Sequence, residues 1–301
     1  MEDLGLSGRR VLLDDGKTIG WDLLCLAPGS EARRLAGAES TLYLRELPQA
    51  DRLRALVDRA EALDIIGAGF IGCEVAAVAR IKGCEVRVLE ALGQPLLRVL
   101  GAELGAYIAD VHRDKGVVMH LGVQPAPTAD LVAIGSVPRT ELAARTGLEV
   151  DSGIVVDQHG RTSAPGVFAA GDATRFFHPL YGTHIRVEHF QTSQRQGFAV
   201  GRTMAGAATA YSEVPWFWSD QYDLNLQYAG AGQPWDETVV RGRLGQPPFT
   251  VFYLRAGELV AAAGINDHHT VARARRLLET RQTLTRAQLE DPHFDLRRAL
   301  A

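Results

Sequence analysis

Cysteine is scarce in this chain of 301 residues, where Cys25, Cys73 and Cys84 are the whole complement. The count is odd and no two stand as C-x-x-C, which argues against a disulfide framework and leaves no vicinal redox pair in this sequence. All three lie in apolar contexts and read as small buried hydrophobes. Long apolar runs are lacking too. None approaches the roughly 20 residues that cross a bilayer, and the opening Met1-Glu2-Asp3 has no signal-peptide character, so the cytoplasm is the default location. Nor is there an excess of one charge: the formal net charge is −4, which makes no overall electrostatic case for nucleic acid. Internal repeats of solenoid period and low-complexity tracts are absent. His268-His269 has no further ligands at metal spacing and reads as surface, so no metal site is expected. What is present is ordinary soluble composition, 46% hydrophobic and 23% charged. The length suffices for two or three domains with ample core.

One stretch carries most of the information: Asp64-Ile65-Ile66-Gly67-Ala68-Gly69-Phe70-Ile71-Gly72-Cys73-Glu74. Gly67, Gly69 and Gly72 spell G-x-G-x-x-G after a short apolar run. Ile71, Val75, Val78 and Ala79 then recur at helical spacing, Gly83 closes the helix, and Val86 and Val88 alternate into a second strand ending at Glu90. Strand, tight turn, helix and strand in this order form a dinucleotide-binding unit. Gly67 permits the turn, Gly69 lets backbone approach a pyrophosphate, and Gly72 lets helix and strand pack closely. The helix start, with Phe70 and Ile71, offers free N–H groups and a partial positive charge to phosphates. Glu90 stands where a carboxylate, roughly 20 residues on, accepts hydrogen bonds from both ribose hydroxyls. A carboxylate there repels a 2′-phosphate, so NAD is favoured over NADP. A bare Gly-rich turn without ligand is the plainer alternative, and the register of strand, helix and acid weighs against it.

Elsewhere, residues 9–13 and 17–27 read as short strands around the turn Asp14-Asp15-Gly16. Helices are predicted over 47–62, 101–115, 192–206, 269–281 and 285–290. Strands are predicted over 117–123, 130–135, 153–156, 224–229, 237–242, 249–255 and 258–265, with a Pro-rich connection at 124–128. From Pro215 the composition turns aromatic and strand-rich, which suggests a separate α+β domain. Trp216 and Trp218 share one face of an alternating segment and read as core or interface. Arg273, Arg275, Arg276 and Arg281 on one helix form a solvated face or steer an acidic partner.

Three further motifs converge. Thr162-Ser163-Ala164-Pro165-Gly166-Val167-Phe168-Ala169-Ala170-Gly171-Asp172-Ala173 resembles the second flavin motif of the glutathione-reductase superfamily, and Leu26-Ala27-Pro28-Gly29 resembles its Ala-Thr-Gly turn. Pro215-Trp216-Phe217-Trp218-Ser219-Asp220-Gln221-Tyr222-Asp223 is similar to a motif of the NADH-dependent ferredoxin reductases that serve aromatic-ring dioxygenases and cytochromes P450, the putidaredoxin and rubredoxin reductases among them. The resemblance runs over nearly the whole chain. It implies an α/β fold: a Rossmann-like NAD domain (61–160) inserted in an FAD domain (1–60 and 161–213), followed by a C-terminal α+β interface domain (214–301). It implies the cofactors FAD and NAD, and a [2Fe-2S] ferredoxin or rubredoxin as partner. By resemblance, Asp172, after Gly171, holds the ribityl chain of FAD. Arg33 contacts FAD, and Phe190 gives its backbone N–H to the flavin pyrimidine at the positive end of a helix. Glu74 stands near the nicotinamide and Trp218 near the isoalloxazine and docking surface. Arg98 and Gly135 complete the cofactor set.

The resemblance also has gaps. The family opens with its own strand and G-x-G-x-x-G helix for the ADP half of FAD. Only one such motif occurs here, and the chain begins at a point matching the middle of the family's first domain. The expectation is a truncated FAD domain whose first sheet lacks central strands. Pro28 replaces a threonine, Gln94 replaces an arginine expected near the cofactor ribose, and Asp64 is a charge entering a buried strand. The connection at 124–129 is shorter than the family's antiparallel strands there. The reading implied is an NADH-dependent flavoprotein passing electrons through FAD to a ferredoxin. The alternatives are a remnant that binds NAD at most and transfers no electrons, or a related NADH oxidase.

Overall fold

In the computed structural model the described residues are 3–6, 8–124 and 126–300; Met1, Glu2 and Pro125 of the predicted 124–128 connection lie outside them. They group into two units, one formed by the chain up to Glu31 with Val137–Trp216, the other by Ala32–Ser136 with Phe217 onward.

In the second unit, a four-stranded parallel sheet runs in the order Val117–Leu121, Glu85–Glu90, Ala62–Ile66, Leu131–Val132. Leu63, Ile65 and Ile66 are at most 1% exposed, and burial of such a side chain contributes about 1.5–3 kcal/mol. Asp64 is accounted for by its neighbour in register. It pairs through both carboxylate oxygens with the Arg87 guanidinium on the next strand, and its N–H donates to Asp130. The helix Phe70–Ile81 packs on the sheet through Gly72, Cys73, Val75, Ala76 and Ala79. Ile71 and Val78, expected on its apolar face, are 40% and 50% exposed. Small residues face the sheet instead, so the helix axis comes close and the larger side chains are turned outward. The next helical segment, Leu97–Asp114, joins two helices at Gly101, whose φ of 80° and ψ of 178° are non-helical, so the predicted start at Gly101 holds for the longer second piece and a short turn precedes it. The predicted helix at 47–62 stops at Val57, and Ala62 already belongs to a strand.

The C-terminal half of this unit is a five-stranded sheet in the order Trp216–Gln221, Leu224–Gly230, Glu258–Ile265, Gln246–Arg255, Glu237–Arg243. The helices His268–Thr280 and Arg286–Glu290 follow it. The two sheets of the unit share one core, in which Leu100, Leu104 and Ile108 meet Tyr228, Phe249 and Tyr253. The Tyr253 hydroxyl donates to the Leu100 carbonyl at 2.9 Å. Arg241, 7% exposed, donates to the carbonyls of Gln288, Leu289, Pro292 and Phe294 and so ties down the last turns of the chain.

The first unit holds an antiparallel sheet of Asp3–Gly5, Arg10–Leu12 and Thr18–Gly20 around the expected Asp14-Asp15-Gly16 turn. The predicted 17–27 strand breaks at Trp21–Leu23, and Leu24–Leu26 pairs in parallel with Val167–Ala169. Cys25 on that strand is exposed, unlike buried Cys73 and Cys84, because burial there falls on Leu26. A second sheet of Ile154–Val156, Thr174–His178 and Thr183–Ile185 includes two strands not expected from sequence. The helix Phe190–Met204 begins two residues before the predicted Thr192.

Candidate functional site

The three glycines of the 67–72 turn are required for different reasons. At Gly67, φ is +102° and a Cβ would lie 2.3 Å from the Ala133 carbonyl oxygen. At Gly72 a Cβ would lie 1.9 Å from the Gly67 carbonyl oxygen. Gly69 has ordinary backbone angles, φ −77° and ψ −173°, and the nearest atom to an added Cβ is 3.9 Å away. Nothing inside the protein demands glycine at 69. The open backbone there suits a pyrophosphate lying against it. Gly69 is also the helix N-cap and supplies no side-chain acceptor, so the first-turn N–H groups, Phe70 and Ile71 among them, point outward without one. These features fit the diphosphate of a dinucleotide.

Glu90 is held at the end of its strand. One carboxylate oxygen accepts the Ala68 N–H at 2.7 Å and the other the Leu92 N–H at 2.8 Å. Each oxygen retains a further lone pair. The side chain braces the turn and keeps acceptor capacity for ribose hydroxyls, and the bracing was not foreseen from sequence. Leu96 N–H donates to the Ala68 carbonyl at 3.0 Å, which sets the helix bearing exposed Arg98 against the turn. Gly135, at φ +103°, accepts the Arg33 N–H at 2.9 Å, and both residues are exposed. The Gln94 side-chain oxygen is buried without a hydrogen-bond donor among the described residues.

Glu74 lies in the first turns of the same helix. Its carboxylate accepts the Ser219 hydroxyl at 2.6 Å. Burial raises its pKa, the Ser219 hydrogen bond opposes that rise, and the charge of Asp220 adds to it. Phe70 meets Phe217 edge to face at 4.8 Å. On the strand Trp216–Gln221, Phe217, Ser219 and Gln221 turn inward while Trp218, 43% exposed, and Asp220 face solvent.

In the first unit, Gly171-Asp172 turns at φ +82°, and the Asp172 carboxylate accepts the Ser193 hydroxyl at 2.6 Å. Gly171 N–H donates to the Gln196 side-chain oxygen at 2.7 Å. The helix Phe190–Met204 is thereby fastened to the turn. Its N-cap, His189, makes no side-chain cap hydrogen bond, and the positive end of the helix dipole lies at this turn. Burial depresses the His189 pKa to about 4 against the opposing charge of Asp172, so the imidazole is neutral at pH 7. A carboxylate for sugar hydroxyls beside the positive end of a helix fits the ribityl chain and pyrimidine edge of a flavin.

Comparison with known proteins settles the ancestry. The family described as pyridine nucleotide-disulphide oxidoreductase matches residues 4–130 and 128–197. The chain belongs to this family. A second family, the reductase C-terminal domain, matches residues 216–300. The anthranilate 1,2-dioxygenase system ferredoxin–NAD(+) reductase component of Burkholderia cepacia is 39% identical over 96% of this chain and 77% of that protein. Putidaredoxin reductase of Pseudomonas putida is 32% identical over 97% of this chain and 76% of its own length. The crystal structure of the covalent putidaredoxin reductase–putidaredoxin complex superposes with a TM-score of 0.94 at 30% identity, covering 99% of this chain and 79% of that one. The mixed α/β fold with a C-terminal reductase domain, expected from the motifs, is the fold observed.

For a pyridine nucleotide-disulphide oxidoreductase, several polar partners here could not have been read from the motifs. Ser193 and Gln196, which position Asp172 and Gly171, lie on the predicted helix but face the turn only once the strand Val167–Ala169 is in place. Ser219 sits 145 residues from Glu74. The only signal was its inward parity on an alternating strand. Among the described residues no three His, Cys, Asp or Glu side chains converge as metal ligands. Nor is any helix among them long and apolar enough to cross a membrane.

Proposed function

We propose that the chain is an NADH-dependent ferredoxin reductase, the electron-input component of an oxygenase or P450 system. The dinucleotide lies along Gly67–Gly72, its diphosphate over Gly69 and the N–H groups of Phe70 and Ile71, its adenosine ribose on Glu90, with Arg98 and Gly135 beside it. Glu74 contacts the nicotinamide end. FAD is held at Asp172 and at the Phe190 N–H of the first unit; Arg33, a flavin contact by resemblance, belongs to the other unit. Bound FAD supplies the conversion of two-electron donation by NADH into single-electron delivery. The protein's contribution is position and field: the N-terminus of Phe190–Met204 favours negative charge next to it, and neutral His189 adds no competing cation. Trp218 offers an exposed aromatic surface to an iron–sulfur partner of the [2Fe-2S] ferredoxin or rubredoxin class. The observation that carries the reading is Gly69, which leaves backbone open at the start of a helix between two glycines that the fold itself demands. The ferredoxin–NAD reductases similar over nearly the whole chain support it.

The test is spectroscopic and kinetic. The purified chain supplied with FAD is expected to show flavin absorbance that bleaches on addition of NADH, and to reduce a [2Fe-2S] ferredoxin. A protein that cannot take up FAD and gives no heat on titration with NADH would overturn the reading. Replacing Glu90 by Ala should weaken NADH binding and narrow the preference over NADPH by roughly tenfold, as loss of one 2′-phosphate repulsion implies. Unchanged preference removes Glu90 from the ribose.

A further inference from the structure

A continuous chain of side-chain hydrogen bonds ends on Glu74. Ser219 donates its hydroxyl to the Glu74 carboxylate at 2.6 Å, and the Gln221 side-chain N–H donates to the Ser219 oxygen at 3.1 Å. Gln221 turns its carbonyl oxygen to His112 Nε2 at 3.0 Å, and the Tyr222 hydroxyl lies 3.0 Å from His112 Nδ1. The sense of every bond follows from the ends. A carboxylate only accepts, so Ser219 donates to it and must itself accept from the Gln221 amide. The Gln221 oxygen then takes the proton on His112 Nε2. This leaves Nδ1 as the lone-pair nitrogen that accepts the Tyr222 hydroxyl. All four donors point the same way, toward Glu74. Ser219, Gln221 and His112 are at most 2% exposed.

Two features show that the geometry is costly to maintain. Tyr222 has φ +57°, in the left-handed region that favours glycine. It is the first of two residues joining the strands Trp216–Gln221 and Leu224–Gly230. The two-residue turn itself asks for positive φ at this position, where glycine is the usual occupant, so the tyrosine is accommodated there at a backbone cost. The second feature is His112, a fully buried imidazole whose burial keeps it neutral. Neutrality is the state in which one nitrogen donates and the other accepts.

We infer that Ser219, Gln221, His112 and Tyr222 form a positioning relay that holds Glu74 ionised and in one rotamer at the nicotinamide end of the nucleotide site. The location at the nicotinamide rests on the function proposed above; the relay itself rests on the bonds. An uncharged Glu74 would accept the Ser219 hydroxyl only through a neutral carbonyl oxygen, a weaker acceptor than the carboxylate, and the aligned donors behind Ser219 favour the stronger acceptor. The whole chain therefore resists protonation of Glu74, against burial and the nearby charge of Asp220. The other groups facing this chain are Cys73 on the helix of Glu74, and Arg80 and Lys115 around Tyr222. Lys115 Nζ stands 5.5 Å from the Tyr222 ring centre and 3.6 Å from Asp223.

The experiment follows the carboxyl stretch of Glu74 by infrared titration of the full chain without nucleotide, with Glu74→Gln identifying the band. Ser219→Ala should raise the Glu74 midpoint by about one pH unit, the tenfold effect of one hydrogen bond to a charge, and Ser219→Thr should restore it. Tyr222→Phe, four bonds away and isosteric, should raise it by roughly 0.3 unit, or twofold, as cooperativity along a chain implies. A midpoint unmoved in both Tyr222→Phe and His112→Phe, with only thermal stability changed, overturns the relay and makes these residues packing. Calorimetry with NADH across the same pH range provides the second arm. A Kd that turns at the same shifted midpoint in Ser219→Ala supports the link to the nucleotide, and a Kd indifferent to it overturns that link. If the wild-type chain fails to bind NADH, the proposed function falls, while the infrared midpoints still decide the relay.

Discussion

A single methyl group separates the two roles of glycine in the 67–72 turn. Gly72→Ala drives a Cβ to 1.9 Å from the Gly67 carbonyl oxygen, so the helix must lift off its strand. A loss of roughly 3 kcal/mol or more is expected, in the range of severe overpacking at a backbone contact, and urea unfolding measures it. Gly69→Ala meets nothing closer than 3.9 Å. That variant should unfold at the wild-type midpoint while its NADH Kd rises roughly tenfold, because the added carbon occupies space meant for the ligand. If both variants lose stability equally, the clearance at 69 serves the fold and not a nucleotide. Glu90 is a residue whose type was legible and whose geometry was not. Its position at a strand end points to a sugar, but its grip on the Ala68 and Leu92 amides depends on backbone conformation that residue identities do not encode.

At the scale of elements, legibility followed locality. The strand, turn, helix and strand of 62–90 are consecutive, and their periodicities change at the right residues. The strands Thr174–His178 and Thr183–Ile185 went unread because no sustained alternation sets them apart from the turn after Asp172. The Arg-rich helix reads differently once paired. Arg275 and Arg276 both reach Glu279, at 3.2 Å and 2.9 Å, so part of that charge is spent within the helix. Arg241 was invisible as a structural residue. Its guanidinium serves four carbonyls of residues 288–294, and burial lowers its pKa against the pull of Asp267 and Asp291. Arg241→Met should cost about 3 kcal/mol, since it leaves buried carbonyls without donors. Limited proteolysis should then cut near 282–285 sooner than in the wild type.

For the molecule as a whole, acid is the sensitive direction. His112 in one unit and His178 and His189 in the other are buried, and burial depresses the pKa of each below its ordinary 6.5. The unfolded chain therefore takes up these protons first. Stability is intact above about pH 6.5 and declines as pH falls, and for His189 the decline continues to about 4. Each group that stays neutral while its unfolded counterpart is charged adds a slope of about 1.4 kcal/mol per pH unit. Glu74 works in the opposite sense: its raised pKa makes folding easier as pH falls toward 4.5. One acid against three histidines leaves the net slope destabilising. Urea midpoints at pH 7.5, 6 and 5 should fall in that order, and His189→Asn should flatten the lower part of the curve. A midpoint that holds constant from 7.5 to 5 contradicts the assignment of neutral buried imidazoles.

The strand Trp216–Gln221 obeys a parity rule, since Trp218 and Asp220 look out while Phe217, Ser219 and Gln221 look in. Redesign for a different electron acceptor can therefore edit even-numbered positions freely and must leave odd-numbered ones alone. A one-residue deletion ahead of Ser219 would exchange the two sets, burying an indole and an acid while stranding the amide and hydroxyl in water.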